Sequence, residues 1–383
     1  MIIGVPKETF PGERRVALAP HVIASLTKAG HEVLLEPGAG VPAGFLDAEF
    51  QEKGARIAAS RAEVFGTADL ICQVRGLGYN REVGRDDLPL MREKQIIVAL
   101  LDPLSAPDSV RDLSQRKVTA FSMELIPRIS RAQSMDVLSS QAAISGYKAM
   151  VVAAGVLPKI FPMMMTAAGT IVAARVFVIG AAVAGLQAIA TARRLGAVVH
   201  AYDVRAAAKE AVASLGAKFV EIPMPEGEAE DKGGYAKAQS DEFLRRQREM
   251  MTSVVAGSDV VVTTALIPGR PAPVLVTADM VKAMPPGSVI VDIAAERGGN
   301  CELTKPGETV VVNGVTIIGP TDLPSTVPHH ASQMYAKNMA TFLLHILQEG
   351  KLRADLDEEI VKETLVTKDG EVTHGRVREI LAS

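Results

Sequence analysis

The chain has 383 residues, of which 48% are hydrophobic, and 41 basic side chains stand against 44 acidic ones. This much apolar material supports two α/β domains and excludes an extended disordered protein. A net charge of −3 without long runs of like charge argues against nucleic-acid binding, and two widely spaced cysteines, Cys72 and Cys301, predict free thiols in a reducing compartment rather than a disulfide or a metal site.

Short β-branched runs alternate with helical runs along the chain, which is typical of parallel sheets built from βαβ units. The opening residues MIIGVPKE predict a strand and lack the basic start and cleavage site of a secretory signal. A helix is predicted over 19–29. The strands predicted in the first third are Ile2–Val5, Glu32–Leu35, Leu70–Val74, Ile96–Leu100 and Val118–Met123.

The 125–140 segment, LIPRISRAQSMDVLSS, interrupts this alternation because it is polar and contains Pro127. We expect a loop that leads into a helix reaching about Ala154, with Ser134 or Asp136 as the N-cap. The apolar stretches 160–174 and 176–192 are too short for membrane spans and contain glycine. No transmembrane helix is therefore predicted.

Six more strands predict a second doubly wound sheet, and the run 331–348 then places large side chains on one helical face. Such a stripe is typical of a core or a subunit interface. The predicted strands are Arg175–Gly180, Val198–Tyr202, Lys218–Glu221, Asp259–Thr263, Val289–Ile293 and Val315–Ile318. The stripe consists of Met334, Tyr335, Met339, Phe342, Leu343, Ile346 and Leu347.

These elements predict an α/β protein with two doubly wound, Rossmann-like domains and a cleft between them. The helix over 331–348 is placed back in the first domain, which makes that domain discontinuous. The predicted first domain comprises 1–137 and 330–383, and the second comprises 138–329.

A glycine-rich turn, GAAVAGLQAIATARRLGA, follows the strand that begins at Arg175 and leads directly into a helix. This geometry is that of a dinucleotide fingerprint, in which a pyrophosphate binds at the helix N-terminus. Gly180 makes the sharp turn, and Gly185 lets the helix approach the strand closely. The middle position of the fingerprint is Ala182 instead of glycine, so its methyl group is expected to weaken the pyrophosphate contact.

The next strand ends in Asp203, about 20 residues after the turn, where an acidic residue holds the adenosine ribose 2′-hydroxyl. A carboxylate there repels a 2′-phosphate, so the pattern favours NAD(H) over NADP(H). Arg205, two residues later, would favour NADP(H), although an arginine at that offset is more often paired or solvated. The alternative is a doubly wound domain with an empty crevice.

Histidine, the most frequent general base of dehydrogenases, is absent from residues 32–199. The 125–140 segment instead offers Arg128, Arg131, Gln133, Ser134 and Asp136, which can hold a carboxamide without exchanging a proton. Hydride exchange between two nicotinamides needs no proton transfer in its chemical step. The side chains of the 125–140 segment therefore suit this reaction. The alternative is a solvated surface loop.

Six strings closely resemble the NAD(H)-binding subunits of proton-translocating nicotinamide nucleotide transhydrogenases. The resemblance covers residues 1 to about 345 and is weaker in the last 40. The strings are PRISRAQSMDVLSSQ (127–141), FPMMMTAAGT (161–170), AGLQAIATARRLGA (184–197), GGYAK (233–237), TTALIPGRPAPVL (263–275) and GGNC (298–301).

The resemblance implies an oxidoreductase subunit with NAD(H) in a cleft between two domains and a first-domain loop against the nicotinamide. It assigns Arg128, Gln133 and Asp136 to that loop and Ser139 to the carboxamide. The cofactor residues that it implies in the second domain are Gly180, Ala181, Ala182 and Val183 at the pyrophosphate, with Gly185 behind them, Asp203, Val204 and Arg205 at the adenosine ribose, Ala265 and Leu266 beside the adenosine, and Gly234 and Tyr235 on a mobile loop that closes over the nucleotide.

The resemblance also implies partners. Because fused members continue into membrane helices, this chain is expected to be a split-gene form, a homodimer that associates with separate membrane subunits and an NADP(H)-binding component. Hydride transfer from NADH to NADP⁺ would then be coupled to proton translocation by the membrane subunits. The expected location is cytoplasmic, peripheral on the inner face of the membrane.

Alanine dehydrogenase is a rival interpretation because it shares the two-domain plan and the PKE and ERRVAL elements at 6–8 and 13–18. Its substrate-binding lysine segment reads CQVRG here, with Arg75, and its catalytic-histidine segment, VALLDPL at 98–104, has no histidine. Saccharopine-type dehydrogenases depart at the same strings. A non-catalytic NAD-responsive binding protein is the third interpretation, which the sequence leaves open.

Overall fold

The computed structural model describes residues 1–221, 241–266, 269–348, 350–353, 355 and 357–382. The chain divides into two compact units. Unit 1 comprises Met1–Gln141 and Pro324–Ser383, and unit 2 comprises Ala142–Leu323. The domain boundaries predicted from the sequence, 137/138 and 329/330, stay predictions.

The described residues form strands and helices that we number in chain order. The strands are β1 Ile2–Val5, β2 Glu32–Leu35, β3 Arg56–Ile57, β4 Leu70–Arg75, β5 Ile96–Leu100, β6 Thr119–Ser122, β7 Met164–Thr166, β8 Gly169–Ile171, β9 Arg175–Ile179, β10 Val198–Tyr202, β11 Lys218–Phe219, β12 Val260–Thr263, β13 Val289–Asp292, β14 Thr309–Val312, β15 Val315–Ile318, β16 Leu347–Gln348, β17 Lys351–Leu352, β18 Leu365–Lys368 and β19 Glu371–Val372. The helices are α1 Pro20–Lys28, α2 Asp47–Glu52, α3 Arg61–Thr67, α4 Pro107–Gln115, α5 Val137–Val156, α6 Val183–Arg194, α7 Ala208–Ser214, α8 Asp241–Ala256, α9 Ala278–Ala283, α10 Pro328–Ile346, α11 Glu359–Thr364 and α12 Gly375–Ala382.

Unit 1 is built on one large sheet with the strand order β3-β2-β1-β4-β5-β6-β18-β19. The first six pair in parallel, and β18 joins β6 antiparallel. Alternate residues of a strand face opposite sides, so Leu70, Cys72 and Val74 enter one hydrophobic core and Ile71 enters the other. Both faces of the sheet are therefore covered, as parallel sheets require.

Unit 2 is built on a sheet with the order β11-β10-β9-β12-β13-β15-β14, parallel except for β14. On β9, Val176 and Val178 enter one core while Phe177 and Ile179 enter the other. The chain winds outward in one direction from β9 to β11 and in the other from β12. The carboxyl ends of β9 and β12 therefore flank the switch point where open α/β sheets bind ligands. The predicted α/β class with two Rossmann-like sheets is confirmed.

The edge strands β3, β14 and β19 are absent from the predicted set, as is β18, which lies between β6 and β19. The β14–β15 connection is Asn313-Gly314 and the β18–β19 connection is Asp369-Gly370, and all four residues have positive φ. Asn-Gly and Asp-Gly between β-branched runs are the strongest short-range hairpin signals. The sequence therefore encodes these two hairpins through their turn residues, whereas the βαβ alternation predicts only parallel strands.

The long helix α10 belongs to the core of unit 1. Six of the seven stripe residues predicted for this run, Tyr335 to Leu347, are buried in that core. Met334 was predicted to share their face, but it is 40% exposed, because it lies beside rather than on the buried row. None of the helices in the described part of the chain combines the length and apolar character that a membrane span needs.

Candidate functional site

The glycine-rich turn of unit 2 joins β9 to α6. Gly180 has a φ of +96°, which glycine adopts without strain. A Cβ on Gly185 would lie 1.7 Å from the carbonyl oxygen of Gly180, so only glycine lets the first turn of α6 pass this close to the end of β9. The roles predicted for these two glycines in the turn geometry match the structure.

The N-terminus of α6 is available to an anion because none of the side chains that the structure describes caps it. Its N-cap residue is Ala182, with φ −83° and ψ −166°, an ordinary extended conformation for an L-residue. Ala182 and Val183 are exposed. Unsatisfied N–H groups and the helix dipole favour a phosphate at such a point. The weakening of the pyrophosphate contact by the Ala182 methyl group stays a prediction.

Asp203 lies at the end of β10 and holds the glycine-rich turn by a hydrogen bond. Its Oδ2 accepts from the N–H of Ala181 at 2.7 Å, and its Oδ1 accepts from the N–H of Arg205 at 2.9 Å. The Arg205 guanidinium donates to both oxygens, from Nε at 2.9 Å and from Nη2 at 3.0 Å. Burial raises the pKa of Asp203, but these hydrogen bonds outweigh it and hold the pKa below its usual value. Asp203 is therefore an ionised carboxylate at the switch point, and Arg205 is its ion-pair partner.

The 264–266 segment follows β12 on the other side of the switch point. Thr264 Oγ1 donates to the carbonyl oxygen of Gly180 at 3.1 Å. The fully buried Asn300 accepts from the N–H of Ala265 and donates to its carbonyl oxygen, both at 2.9 Å. Leu266 is 42% exposed. The sequence reasoning assigned no role to Thr264 or Asn300, although the string GGNC contains Asn300.

The remaining residues predicted for unit 2 divide into two groups. Val204 is half-buried beside Asp203. Gly234 and Tyr235 lie outside the described residues. Their predicted role in a loop that closes over the nucleotide stays a prediction.

In unit 1 the 125–140 segment forms a short 3-10 turn, Ser130–Met135, that leads into α5. Asp136 caps α5, because its Oδ1 accepts from the N–H of Ser139 at 2.9 Å and its Oδ2 from the Ser139 hydroxyl at 2.6 Å. Of the two predicted N-caps, Asp136 is the one observed. Asp136 and Ser139, both assigned to the nicotinamide end, thus contact each other.

The same segment has an inner and an outer side. Ala132 and Met135 are buried in the core of unit 1, whereas Arg128 and Gln133 are exposed. An exposed guanidinium thus precedes the turn and an exposed carboxamide lies on it, and the inner side of the turn is fixed by packing. Such a pair can hold the carboxamide of a ligand by hydrogen bonds.

A buried ion cluster lies where β4 ends in unit 1. Glu13 Oε2 is 2.6 Å from Nη2 of Arg15 and 3.1 Å from Nε of Arg75. Burial raises the pKa of Glu13, but the two guanidinium groups outweigh it and hold the pKa well below its usual range. The ring of Phe10 packs 4.3 Å from the Arg75 guanidinium carbon. Both arginines are therefore engaged by a carboxylate of the chain itself.

Glu8 adds a second carboxyl to this cluster. Burial and the adjacent Glu13 raise the pKa of Glu8 to about 8, so it carries a proton at neutral pH. Its oxygens accept from the N–H groups of Val74 at 2.6 Å and Arg75 at 3.1 Å. The sequence argument considered histidine as the general base and missed this group, because its pKa depends on burial.

Two family models match the chain over nearly its whole length. The model described as "Alanine dehydrogenase/PNT, N-terminal domain" matches residues 4–145, and that described as "Alanine dehydrogenase/PNT, C-terminal domain" matches residues 149–375.

Known proteins of two kinds are similar to the chain. An NAD(P) transhydrogenase alpha subunit chain of Rhodospirillum rubrum is 48% identical over 98% of this chain and 98% of its own length. The crystal structure of a transhydrogenase from Sinorhizobium meliloti superposes with a TM-score of 0.86 at 43% identity, covering 97% of this chain and 100% of that one. A solved L-alanine dehydrogenase has a TM-score of 0.83 at 25% identity, covering 100% and 99%.

Proposed function

Because the chain belongs to the alanine dehydrogenase/PNT family, and within it to the NAD(P) transhydrogenase alpha subunits, we propose that it presents bound NADH for direct hydride transfer to NADP⁺ on a partner subunit. The family predicted from the sequence strings is confirmed. As a member of this family, the chain is an oxidoreductase subunit that binds NAD(H).

The observation that carries the proposal is the turn at the switch point of unit 2. In the proposed site the N-terminus of α6, which no described side chain caps, takes the pyrophosphate, and the Asp203 carboxylate, which accepts from the N–H of Ala181 at 2.7 Å, takes the adenosine ribose. An ionised carboxylate accepts from a ribose hydroxyl and repels a 2′-phosphate. Unit 2 therefore selects NAD(H) over NADP(H).

The 125–140 segment supplies the nicotinamide end of the proposed site. Arg128 and Gln133 hold the ring and its carboxamide by hydrogen bonds, while Asp136 and Ser139 form the start of α5 next to them. NADH gives a hydride to NADP⁺, and no proton moves in that step. Positioning is thus the main contribution that these side chains make to the rate.

An alanine-dehydrogenase-like reaction is a less suitable function for this chain. It requires a cation for the substrate carboxylate and a proton-exchanging group. The cations at the corresponding strings, Arg15 and Arg75, are paired with Glu13, and the titrating group nearby, Glu8, uses both oxygens for backbone N–H groups. A substrate carboxylate would have to displace Glu13 from two guanidinium groups.

The partners follow from the proposed reaction. An NADP(H)-binding component brings its nicotinamide against the bound NADH, and separate membrane subunits couple the transfer to proton translocation. The chain is then peripheral on the cytoplasmic face of the membrane, held there by those subunits.

A reconstitution assay tests the function. The chain is mixed with NADH and a thio- or acetylpyridine analogue of NADP⁺, with and without the NADP(H)-binding component, and absorbance reports hydride transfer. We expect turnover only with that component present. Turnover with pyruvate and ammonia would instead identify an amino-acid dehydrogenase, and binding without either reaction would identify an NAD-responsive binding protein.

We also propose that the chain forms a homodimer through the hairpin at 162–172, which contains β7 and β8. Every residue of this hairpin is exposed, including Met163 at 63%, Met165 at 75% and Val172 at 79%. An isolated two-stranded hairpin is marginally stable in water, and exposed apolar clusters rich in methionine are typical of protein interfaces. A second copy of the chain supplies the missing cover.

Replacing Met165 and Val172 together by lysine should convert the dimer to a monomer, because each chain would bury two charges in the interface. Light scattering coupled to size-exclusion chromatography measures this as a fall from about twice the chain mass of 40.5 kDa to that mass. The control is Val311→Lys on β14, where the side chain is 67% exposed but lies outside the hairpin. A double variant with the wild-type mass would refute the interface.

A further inference from the structure

The 125–140 segment is held from outside by the C-terminal region of unit 1. Arg131 Nη1 lies 2.7 Å from Oε1 of Glu358, and its Nη2 lies 3.0 Å from Oε2 of Glu359. The Glu359 pair is exposed on both sides and contributes little. The Glu358 side chain is only 10% exposed, so its ion pair with Arg131 is less screened by water, although Oε1 of Glu358 accepts no hydrogen bond from the described residues.

The other carboxylate oxygen of Glu358 is held by three contacts. This oxygen, Oε2, accepts from the N–H groups of Ile360 and Val361 at 3.1 Å, which caps α11, and lies 2.9 Å from Nε2 of His345 on α10. Burial raises the pKa of Glu358, but these hydrogen bonds outweigh it and hold the pKa below its usual value. The carboxylate that Arg131 meets is thus an ionised group joined to two helices.

A second anchor comes from α10. Asn338, which is 8% exposed, donates from Nδ2 to the carbonyl oxygen of Ser134 at 2.8 Å. Arg131 and Ser134 are three residues apart. In a 3-10 turn residues at this spacing lie above one another, so Arg131 and Ser134 share one side of the turn, and the second anchor holds the backbone there.

Residues three apart also form each of the other two sides of the 3-10 turn. Ala132 and Met135 are buried in the core that also contains Ile360 and Val361. Ser130 and Gln133 are exposed and form the third side. With one side of the turn packed against the core and one side anchored, Gln133 lies on the remaining, exposed side.

We propose that Glu358 is a positioning residue for hydride transfer, which acts through Arg131 by fixing the register in which the turn presents Gln133. This inference rests on the proposed function, in which Gln133 contacts the nicotinamide. It gives the C-terminal region of the chain, where the family resemblance is weakest, a role in the rate of the reaction.

The test uses Arg131→Met, Glu358→Gln and the double variant in the partner-reconstituted protein. We expect each single variant to lower the rate constant at saturating nucleotides by about tenfold while the dissociation constant for NADH changes less than about threefold. The double variant should lose no more than the worse single one, because both single variants break the same ion pair between Arg131 and Glu358. Arg131→Lys, which keeps the charge, should recover most of the rate.

Arg85→Met is the matched control. Arg85 is 53% exposed against 54% for Arg131, and it pairs with Asp112 at 2.7 Å in the same unit. Hydrogen exchange over residues 130–136 gives a readout independent of activity. Exchange should accelerate in Arg131→Met and Glu358→Gln and remain unchanged in Arg85→Met.

Unaltered exchange in the Arg131 and Glu358 variants would overturn the inference, as would faster exchange with an unaltered rate constant. Gln133→Ala, measured alongside, separates the two hypotheses. If it lowers the rate while the anchor variants do not, only the positioning role has failed. If it also leaves the rate unaltered, the proposed contact of this segment with the nicotinamide has failed.

Discussion

Replacing Asp203 by alanine is expected to raise the dissociation constant for NADH by about 10- to 100-fold, because a hydrogen bond to a charged group contributes roughly 1.5 to 3 kcal/mol. The preference for NADH over NADPH should fall further than this. Without Asp203 the Arg205 guanidinium, which now donates to both carboxylate oxygens, becomes available to a 2′-phosphate. Fluorescence titrations with both nucleotides measure the two constants.

The Arg205→Met variant tests the Asp203 carboxylate without its ion-pair partner. This variant keeps Asp203 and frees its oxygens, so NADH should bind as well as before or tighter, without a gain for NADPH. Asp279→Ala, at an exposed ion pair with Lys282 in the same unit, controls for the loss of one charge. Overlapping NADH titrations of wild type and Asp203→Ala would place the adenosine site elsewhere.

The pH dependence has a defined sign. The pKa of Asp203 is lowered in the folded protein. The contribution of its carboxylate to NADH binding is therefore present above the ordinary carboxyl pKa and is lost only as the pH falls through the lower folded pKa. The advantage of wild type over Asp203→Asn should therefore be constant from about pH 5 to pH 8. A decline within that range would mean that another group titrates in the site.

The elements of the site that lie within one βαβ unit were predictable from the sequence. Gly180, Gly185 and Asp203 occupy fixed positions relative to one strand, one turn and the next strand, so their spacing alone predicts where they lie. The pairing of Arg205 with Asp203 was among the expected outcomes, but spacing did not distinguish it from a solvated arginine. The distance from the guanidinium to the carboxylate settles that point.

The contacts between distant regions of the chain were not predictable in this way. Glu358 meets Arg131 only because the fold of unit 1 brings these distant segments together. Asn300 meets Ala265 only because the fold of unit 2 does the same for its segments. Hydrophobic periodicity indicates that a helix is buried but not which polar groups it carries to a neighbour. The raised pKa of Glu8 has the same origin, since it arises from burial beside Glu13.

Gln133→Ala is expected to lower the hydride-transfer rate constant by about 10- to 100-fold and to change the NADH dissociation constant by less than about threefold. In the proposed site binding energy comes largely from the adenosine and pyrophosphate, which the proposal assigns to unit 2, whereas the rate depends on keeping the nicotinamide within about 3 to 3.5 Å of its acceptor. Stopped-flow transfer from NADH to an NADP⁺ analogue, in the partner-reconstituted complex, measures the rate constant.

Gln133 is a cleaner probe of this segment than Asp136, because Asp136 caps α5 and its loss would also destabilise the helix by about 1 kcal/mol. Ser130→Ala is the matched control, since Ser130 shares the exposed side of the turn with Gln133 and has no predicted contact with the nucleotide. An amide side chain does not titrate, so the rate should show no new pH dependence near neutrality. A rate constant that stays at the wild-type value with both nucleotides saturating would remove this segment from the mechanism, because a contact that orients the reacting ring cannot be deleted without cost to the transfer step.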